Sequence, residues 1–324
     1  MNNLMLAIDK AKTIAIAGHV RPDGDCIGSS MALYRYIMDN FENKCVTVYL
    51  EEIADCFSYL REEEAYQEVC DFEKGASYDL FLSLDCGDTE RLGERAEAIL
   101  KSAGYVINID HHITNTGFGD EKYIEEASST CEILYNLMDD DKISYATACA
   151  LYTGLVHDTG VFKHSCTTPQ TMRIAAKLME KGIPFGKIID GSFYMKSYKQ
   201  LQIMGRCLME SIRILDEKCI FSIVRQNVLK LYDAKPSDLD GIIDEMRTTK
   251  GVEVAILLDE REPGEYKVSM RSNDFVDVSV IAKYFGGGGH VKAAGCTIKG
   301  DGFDVINNLT VHIEKQLIAN AASE

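Results

Sequence analysis

Residues able to bind metals or move protons collect at the ends of apolar runs in this sequence. Asp110-His111-His112 directly follows Tyr105-Val106-Ile107-Asn108-Ile109. His19-Val20-Arg21-Pro22-Asp23-Gly24-Asp25 follows Thr13–Ala17, Asp85 ends Asp79–Leu84, and His157-Asp158 closes a fourth apolar segment. Singly, each is an ordinary turn or cap residue. As a set at strand ends they are expected to form a site, because open α/β sheets bind ligands at the carboxyl edge of their strands. Carboxylates crowded there raise one another's pKa. Divalent cations remove that conflict, and a carboxylate can bridge two of them about 3.5–4 Å apart. The mixed imidazole and carboxylate inventory of His19, Asp23, Asp25, Asp85, Asp110, His111, His112 and Asp158 suits Mn²⁺, with Mg²⁺, Co²⁺ or Fe²⁺ as alternatives.

A second group lies near the carboxyl end. Gly286-Gly287-Gly288-Gly289 permits backbone conformations other residues avoid, and consecutive amides can cradle an anion. His290 adds a donor, and Arg271, at the end of an apolar strand, offers a planar fork for phosphate. On the residues alone, a mobile turn and a phosphate site stay equally open.

The elements that would position these residues read as α/β. In the first half, strands at Thr13–Ala17, Cys45–Leu50, Asp79–Leu84 and Tyr105–Ile109 alternate with helices at Ile27–Asp39, Ala54–Cys70 and Leu92–Ser102, which predicts a mostly parallel sheet covered on both faces. The helix over Ala54–Cys70 would carry a solvated acidic face at Glu62, Glu63, Glu64 and Glu68. Ser129-Thr130-Cys131-Glu132 has capping-box spacing and opens a helix to Met138. Further helices are expected at Ser144–Leu155 and Gln170–Lys181. Ser192–Ser211 reads as a helical connector. Strands at Cys219–Val224, Val252–Leu258, Tyr266–Arg271 and Cys296–Ile298, with helices at Val278–Phe285 and Phe303–Leu317, then predict a smaller α/β domain. The division is 1–190, a linker at 191–212, and 213–324.

The 324 residues suffice for two cores, and 46% hydrophobic with 26% charged residues is ordinary for a globular chain. No apolar run reaches membrane-spanning length, and Met1–Lys12 lacks the apolar core of a secretory signal. Eleven cysteines with no C-x-x-C pair fit reduced thiols and a cytoplasmic location. Cys26 and Cys86, beside Asp25 and Asp85, are read as packing residues. The net charge of −17 argues against non-specific binding of long nucleic acid, while short phosphorylated substrates stay open.

His19-x-x-x-Asp23-x-Asp25, Asp85, Asp110-His111-His112 and Asp158 resemble the four motifs of the DHH phosphoesterase superfamily. Phe285-Gly286-Gly287-Gly288-Gly289-His290-Val291-Lys292-Ala293-Ala294-Gly295 resembles the signature of the DHH-associated carboxy-terminal domain. The match spans nearly the whole chain in family order, and it is most similar to the oligoribonuclease (nanoRNase)/pAp-phosphatase branch. The resemblance implies two divalent metals, most naturally Mn²⁺, with one on His19, Asp23 and Asp85. The other would sit on Asp25, Asp85, His111 and Asp158. Asp85 would be the bridge, Asp110 an orienting partner, and His112 a donor or general acid toward the phosphate. It also implies an active site in the cleft between domains, with Arg271, Gly286, Gly287, Gly288, Gly289 and His290 binding substrate. The substrates implied are very short oligonucleotides and pAp. A phosphodiesterase of pApA or cyclic dinucleotides is the alternative, and a non-catalytic nucleotide sensor would be a different class. Dimerisation is left open.

Overall fold

Strand β1 (Thr13–Ala17) is buried from its second residue onward, the burial expected of a strand covered on both faces. It is central to the first of two units, Met1–Met195 and Lys196–Glu324, in a computed structural model that describes residues 2–61, 66–68, 77–115 and 117–321. The other strands of this unit are β2 (Cys45–Leu50), β3 (Tyr66–Glu68), β4 (Leu80–Leu84), β5 (Val106–Asp110) and β6 (Glu121–Ile124). Their order is β3-β2-β1-β4-β5-β6, and every adjacent pair is parallel. The chain lays strands outward on one side of β1 and then returns to its other side with β4. The carboxyl ends of β1 and β4 therefore flank a reversal of strand order, where a doubly wound sheet opens a crevice.

Helices α1 (Asn3–Lys10), α2 (Gly24–Asn40), α3 (Gly93–Ser102), α4 (Thr130–Leu137), α5 (Tyr145–Asp158), α6 (Pro169–Glu180) and α7 (Phe185–Ile189) complete the unit. Alternate strand residues separate its two cores. Ile14, Ile16, Leu80 and Leu82 pack with α1, α2, α4 and α5 residues such as Ile8, Ile27, Leu134 and Leu151. Ala15, Ala17 and Phe81 face the other way, onto Leu92, Ala96 and Ile99.

Helices α2 and α5 run antiparallel, with Gly24 opposite His157 and Gly28 opposite Ala150 and Gly154. A Cβ on Gly28 would lie 2.7 Å from the Ala150 carbonyl oxygen, so the two backbones touch with no side chain between them.

Three elements depart from the sequence reading. The expected helix over Ala54–Cys70 is instead a 3-10 turn at Asp55–Leu60 followed by β3; Glu62, Glu63 and Glu64 lie outside the described residues. Strand β6 is an edge strand with no buried residue, so it lacked the apolar signal of its neighbours. Asp158 is the last residue of helix α5 rather than a strand end.

The second unit comprises α8 (Tyr198–Met209), β7 (Ile212–Ile214), β8 (Cys219–Val224), α9 (Gln226–Leu231), α10 (Ile242–Arg247), β9 (Val254–Glu262), β10 (Glu265–Ser272), α11 (Val278–Tyr284), β11 (Gly288–His290), β12 (Ala293–Lys299) and α12 (Gly302–Ala321). The sheet order is β11-β12-β10-β9-β8-β7, antiparallel except for β8 and β9. Helices α11 and α12 cover one face, burying Val278, Ile281, Ile306 and Leu309 against Val268 and Met270. Helix α8, expected as part of a connector, belongs to this unit. Its Ile203, Met204 and Cys207 are buried with Ile242, Met246 and Val224 on the opposite face. Among the described residues no helix is long and apolar enough to cross a membrane, and the cysteines are free thiols.

Candidate metal centre

His19 sits two residues beyond β1. Its Nδ1 lies 2.9 Å from the Val20 carbonyl oxygen, an acceptor, so Nδ1 carries the proton and Nε2 is left facing carboxylates. Nε2 is 3.5 Å from Asp85 Oδ2 and 3.7 Å from Asp23 Oδ2. Asp23 caps α2 by accepting from the amides of Asp25 and Cys26, which fixes its position beside His19.

Asp85 is the hub. It follows β4 with φ of 53°, a left-handed conformation that Asp tolerates better than most residues and that turns its side chain into the crevice. Both carboxylate oxygens are used. Oδ2 faces His19, while Oδ1 accepts from Thr130 Oγ1 at 3.2 Å and lies 3.6 Å from His111 Nε2.

On the far side of Asp85, His111 Nε2 lies 3.0 Å from Asp158 Oδ2. Asp25, fully buried, accepts from the first amides of α4, Thr130 N at 2.6 Å and Cys131 N at 3.0 Å. Each carboxylate oxygen has a second lone pair that these bonds leave available. Asp25, His111 and Asp158 offer ligand atoms within 4.8 Å of one another, as do Asp85, His111 and His112.

The electrostatics express a shortage of positive charge. Burial pulls His19 down, but hydrogen bonding to Asp23 and Asp85 overrides it and holds the imidazole up at about 10. Burial likewise opposes protonation of His111, and Asp158, Asp25 and Asp85 together raise it to about 10. Burial first, then the nearby charges of Asp158 and Asp85, pushes Asp25 well above the usual carboxylate range. A divalent cation would offset the same crowding of carboxylates. Ligand atoms about 2.1 Å from a shared cation lie roughly 3.0–3.4 Å apart at octahedral or tetrahedral angles; His111–Asp158 at 3.0 Å falls in that range, and the other imidazole–carboxylate pairs, at 3.5 to 3.7 Å, lie within a few tenths of an ångström of it. The residues therefore fit divalent metal ions.

Asp110 and His112 form a separate pair. His112 Nδ1 lies 2.8 Å from Asp110 Oδ1, a contact that, against partial burial, raises His112 above its ordinary pKa. Asp110 is completely buried, yet His112 and Asn115 hold it below the usual carboxylate range despite that burial. Asn115 was not singled out in the sequence. Its Nδ2 donates to Asp110 Oδ2 at 2.6 Å and to Asn108 Oδ1 at 2.9 Å, while its Oδ1 accepts from Gly117 N. Only the turn-like Asn115-Thr116-Gly117 hinted at it, and Thr130, which bonds both Asp25 and Asp85, gave no signal beyond following an N-cap.

Ser129 caps α4 through Glu132 N as expected, but the Glu132 carboxylate does not return to Ser129. It accepts from Ser128 and, at 2.7 Å, from Thr171. Cys26 Sγ lies near His19 and Asp85, and burial pushes its thiol well up, as it pushes Cys86 up to about 12. Both stay protonated, in keeping with packing roles.

In the second unit, Arg271 lies on β10 with Nε 3.5 Å from Asp244 Oδ1. The loop beyond it is fixed by buried Glu253, which accepts from the amides of Asp274 at 3.0 Å, Phe275 at 2.9 Å and Val276 at 2.8 Å. The glycine run differs from a free four-amide cradle. Gly286 N and Gly287 N donate to the Lys283 and Ala282 carbonyls and close the end of α11. Gly288, Gly289 and His290 form the exposed strand β11.

A parallel sheet with carboxylates and histidines gathered at its switch point, joined to a mixed-sheet unit carrying the glycine–histidine run, is the construction of one protein class. The model of the DHH family, N-terminal domain, matches residues 13–155, and that of the DHHA1 domain matches residues 222–317. The chain belongs to the DHH family.

Among its relatives, the bifunctional oligoribonuclease and PAP phosphatase NrnA of Thermus thermophilus is 33% identical over 296 residues, covering 89% of this chain and 84% of the relative. The Bacillus subtilis protein of the same name is 24% identical, covering 91% and 92%. The crystal structure of an exopolyphosphatase-related protein from Bacteroides fragilis superposes with a TM-score of 0.86 at 25% identity, over 96% of this chain and 94% of that one.

Proposed function

We propose that this chain is a Mn²⁺-dependent phosphoesterase that hydrolyses very short oligoribonucleotides and pAp. The observation that carries the reading is Asp85, whose two oxygens face His19 on one side and His111 on the other. His19, Asp23 and Asp85 would hold one ion, and Asp25, Asp85, His111 and Asp158 the second. Such ions, when bound, lower the pKa of coordinated water and neutralise charge on phosphoryl oxygens. His112 is the proton donor. Asp110 fixes its Nδ1 and stabilises the imidazolium, so Nε2 offers a proton to the departing ester oxygen as the phosphorus–oxygen bond breaks. Asn115 positions Asp110.

Substrate choice is assigned to the second unit, with Arg271, His290 and the exposed Gly288–Gly289 as binding residues, and with Gly286 and Gly287 shaping the turn that presents them. That inventory grips roughly one or two phosphates by charge-assisted bonds, on a chain of formal net charge −17. The relatives with oligoribonuclease and PAP phosphatase names support this substrate class.

Product analysis with Mn²⁺ on pAp, a labelled dinucleotide, a pentamer, a 20-mer, pApA and cyclic di-AMP tests the reading. Efficiency is expected to fall from dinucleotide to pentamer, with pAp cleaved and the 20-mer poorly used. Equal use of the 20-mer, or cleavage of cyclic di-AMP alone, would overturn it.

A further inference from the structure

Asn108 lies on β5 with no exposed surface, two residues before Asp110 and on the same face of the strand. Its side chain is used at both ends. Oδ1 accepts from Asn115 Nδ2 at 2.9 Å, and Nδ2 donates to the Cys86 carbonyl oxygen at 3.1 Å. The direction of each bond follows from the groups at the two ends, because an ionised carboxylate and a backbone carbonyl can only accept. Asn115 must turn its Nδ2 to Asp110 Oδ2, at 2.6 Å, and its Oδ1 to the Gly117 amide. The other proton of that Nδ2 goes to Asn108 Oδ1, with the Cys86 carbonyl farther off at 3.4 Å. Asn108 Nδ2 is then left for the Cys86 carbonyl. Reversing either amide would set oxygen against oxygen.

We infer that Asn108 is a positioning residue that ties the proton donor His112 to the turn bearing Asp85. The inference rests on the donor and bridge roles proposed above. Two lines of bonds meet at this one amide. The first runs through Asn115 and Asp110 to His112 Nδ1. The second reaches the Cys86 carbonyl, one residue past Asp85, whose φ of 53° persists only where its surroundings hold it. Gly87, next in that turn, packs on the donor pair: a Cβ built there would lie 3.7 Å from Asp110 Oδ2 and 3.9 Å from His112 Cβ. His112 Nδ1 stands 3.6 Å from Asp85 Oδ1. An asparagine suits the junction because it both donates and accepts in one plane. An ionised aspartate lacks the donor, and a serine hydroxyl is too short for both partners.

In hydrolysis the oxygen of water bonds to phosphorus, the ester phosphorus–oxygen bond breaks, and its electron pair leaves on the ribose oxygen. His112 Nε2 supplies the proton that this oxygen needs, and a donor misplaced by about an ångström supplies it slowly. The test compares pAp with its analogue carrying sulfur at both bridging ester positions, using the full chain and Mn²⁺. In the analogue the pair leaves on sulfur as a thiolate, of pKa about 8.5, and no proton is required. Asn108→Ala should lower kcat for pAp about tenfold or more, with KM moved less than about twofold and Mn²⁺ binding retained. On the sulfur analogue its kcat should fall less than about twofold. Asn108→Ser, which can still satisfy the Cys86 carbonyl, guards against an unfolded variant and should show the same selectivity. Equal losses on both esters, or a rise in KM in place of the fall in kcat, overturn the inference.

A double-mutant cycle on pAp decides the shared path without the analogue. Asn108→Ala and Asn115→Ala together should cost little more than the larger single loss, since both cut one line of bonds; fully additive losses overturn it. His112→Asn separates the inference from the reading beneath it. Equal losses on both esters in that variant overturn the donor role, and the inference with it. Selective loss on pAp in His112→Asn but not in Asn108→Ala overturns the inference alone, and no turnover of pAp by the unaltered chain overturns the substrate reading.

Discussion

Gly154→Ala places one methyl group against the fully buried carboxylate of Asp25. The new Cβ would lie 2.5 Å from Asp25 Oδ1 and 2.3 Å from Cys131 Sγ, where ordinary contact begins near 3.4 Å. Something must retreat by roughly an ångström, and no neighbour is free to do so. Both Asp25 oxygens are bonded to the first turn of α4, and Cys131 is fully buried. Overpacking of this kind costs about 1–3 kcal/mol, and replacing a helical glycine by alanine offsets about 1 kcal/mol of it. The net loss, about 1 kcal/mol, lowers Tm by roughly 2–4 °C for a unit of this size. If Asp25 holds a metal as proposed, displacing it by an ångström costs far more in rate, on the order of a hundredfold. The signature is therefore disproportion: turnover of pAp and Mn²⁺ affinity collapse while Tm barely moves. Gly205→Ala is the control, because Gly205 in α8 has nothing within 4 Å of its built Cβ; it should raise stability by about 0.5–1 kcal/mol with turnover unchanged. Full turnover and unaltered Mn²⁺ affinity in Gly154→Ala would refute the placement of Asp25.

Asp85→Asn should leave the fold intact and lower turnover by orders of magnitude, with Mn²⁺ stoichiometry reduced; two ions at full occupancy and normal turnover would overturn the proposed bridging role of Asp85. Asn115→Ala should lower turnover about tenfold with Mn²⁺ binding retained, which calorimetric titration beside the rate assay would check. The pH dependence has a definite sign. His19 and His111 are held at about 10 when no metal is bound, above the ordinary value of about 6.5. Their stabilisation of the metal-free fold is fully present below about pH 6.5 and is lost as pH rises through about 10. A metal must displace both protons, so binding at pH 8 should release about two protons and strengthen with pH. A pH-stat recording no proton release would contradict the charge balance of the cluster.

The residues of the site were legible early because each follows a long apolar run. β1, β4 and β5 are buried on both faces, and a strand of that kind advertises its own end. The edge strand β6 and the short β3 carry no such contrast and went unread, as did the turn at Asp55–Leu60, whose composition also suits a helix. Spacing alone could not show that Asn115 holds Asp110, or that Thr130 joins Asp25 to Asp85, since these bonds are made by residues whose types are common in turns and caps.

By itself the sequence determined the inventory: which carboxylates and imidazoles exist, that they end apolar segments, and that the chain is α/β in two parts. Tertiary structure alone decided which of them meet. Asp25 and Asp158 are 133 positions apart and come together only because α2 and α5 cross backbone to backbone at Gly28 and Gly154. Likewise, two amides of the glycine run are spent on closing α11. The physical reason is that side-chain type is local, whereas distance between elements depends on how their surfaces pack, and no residue carries that information alone.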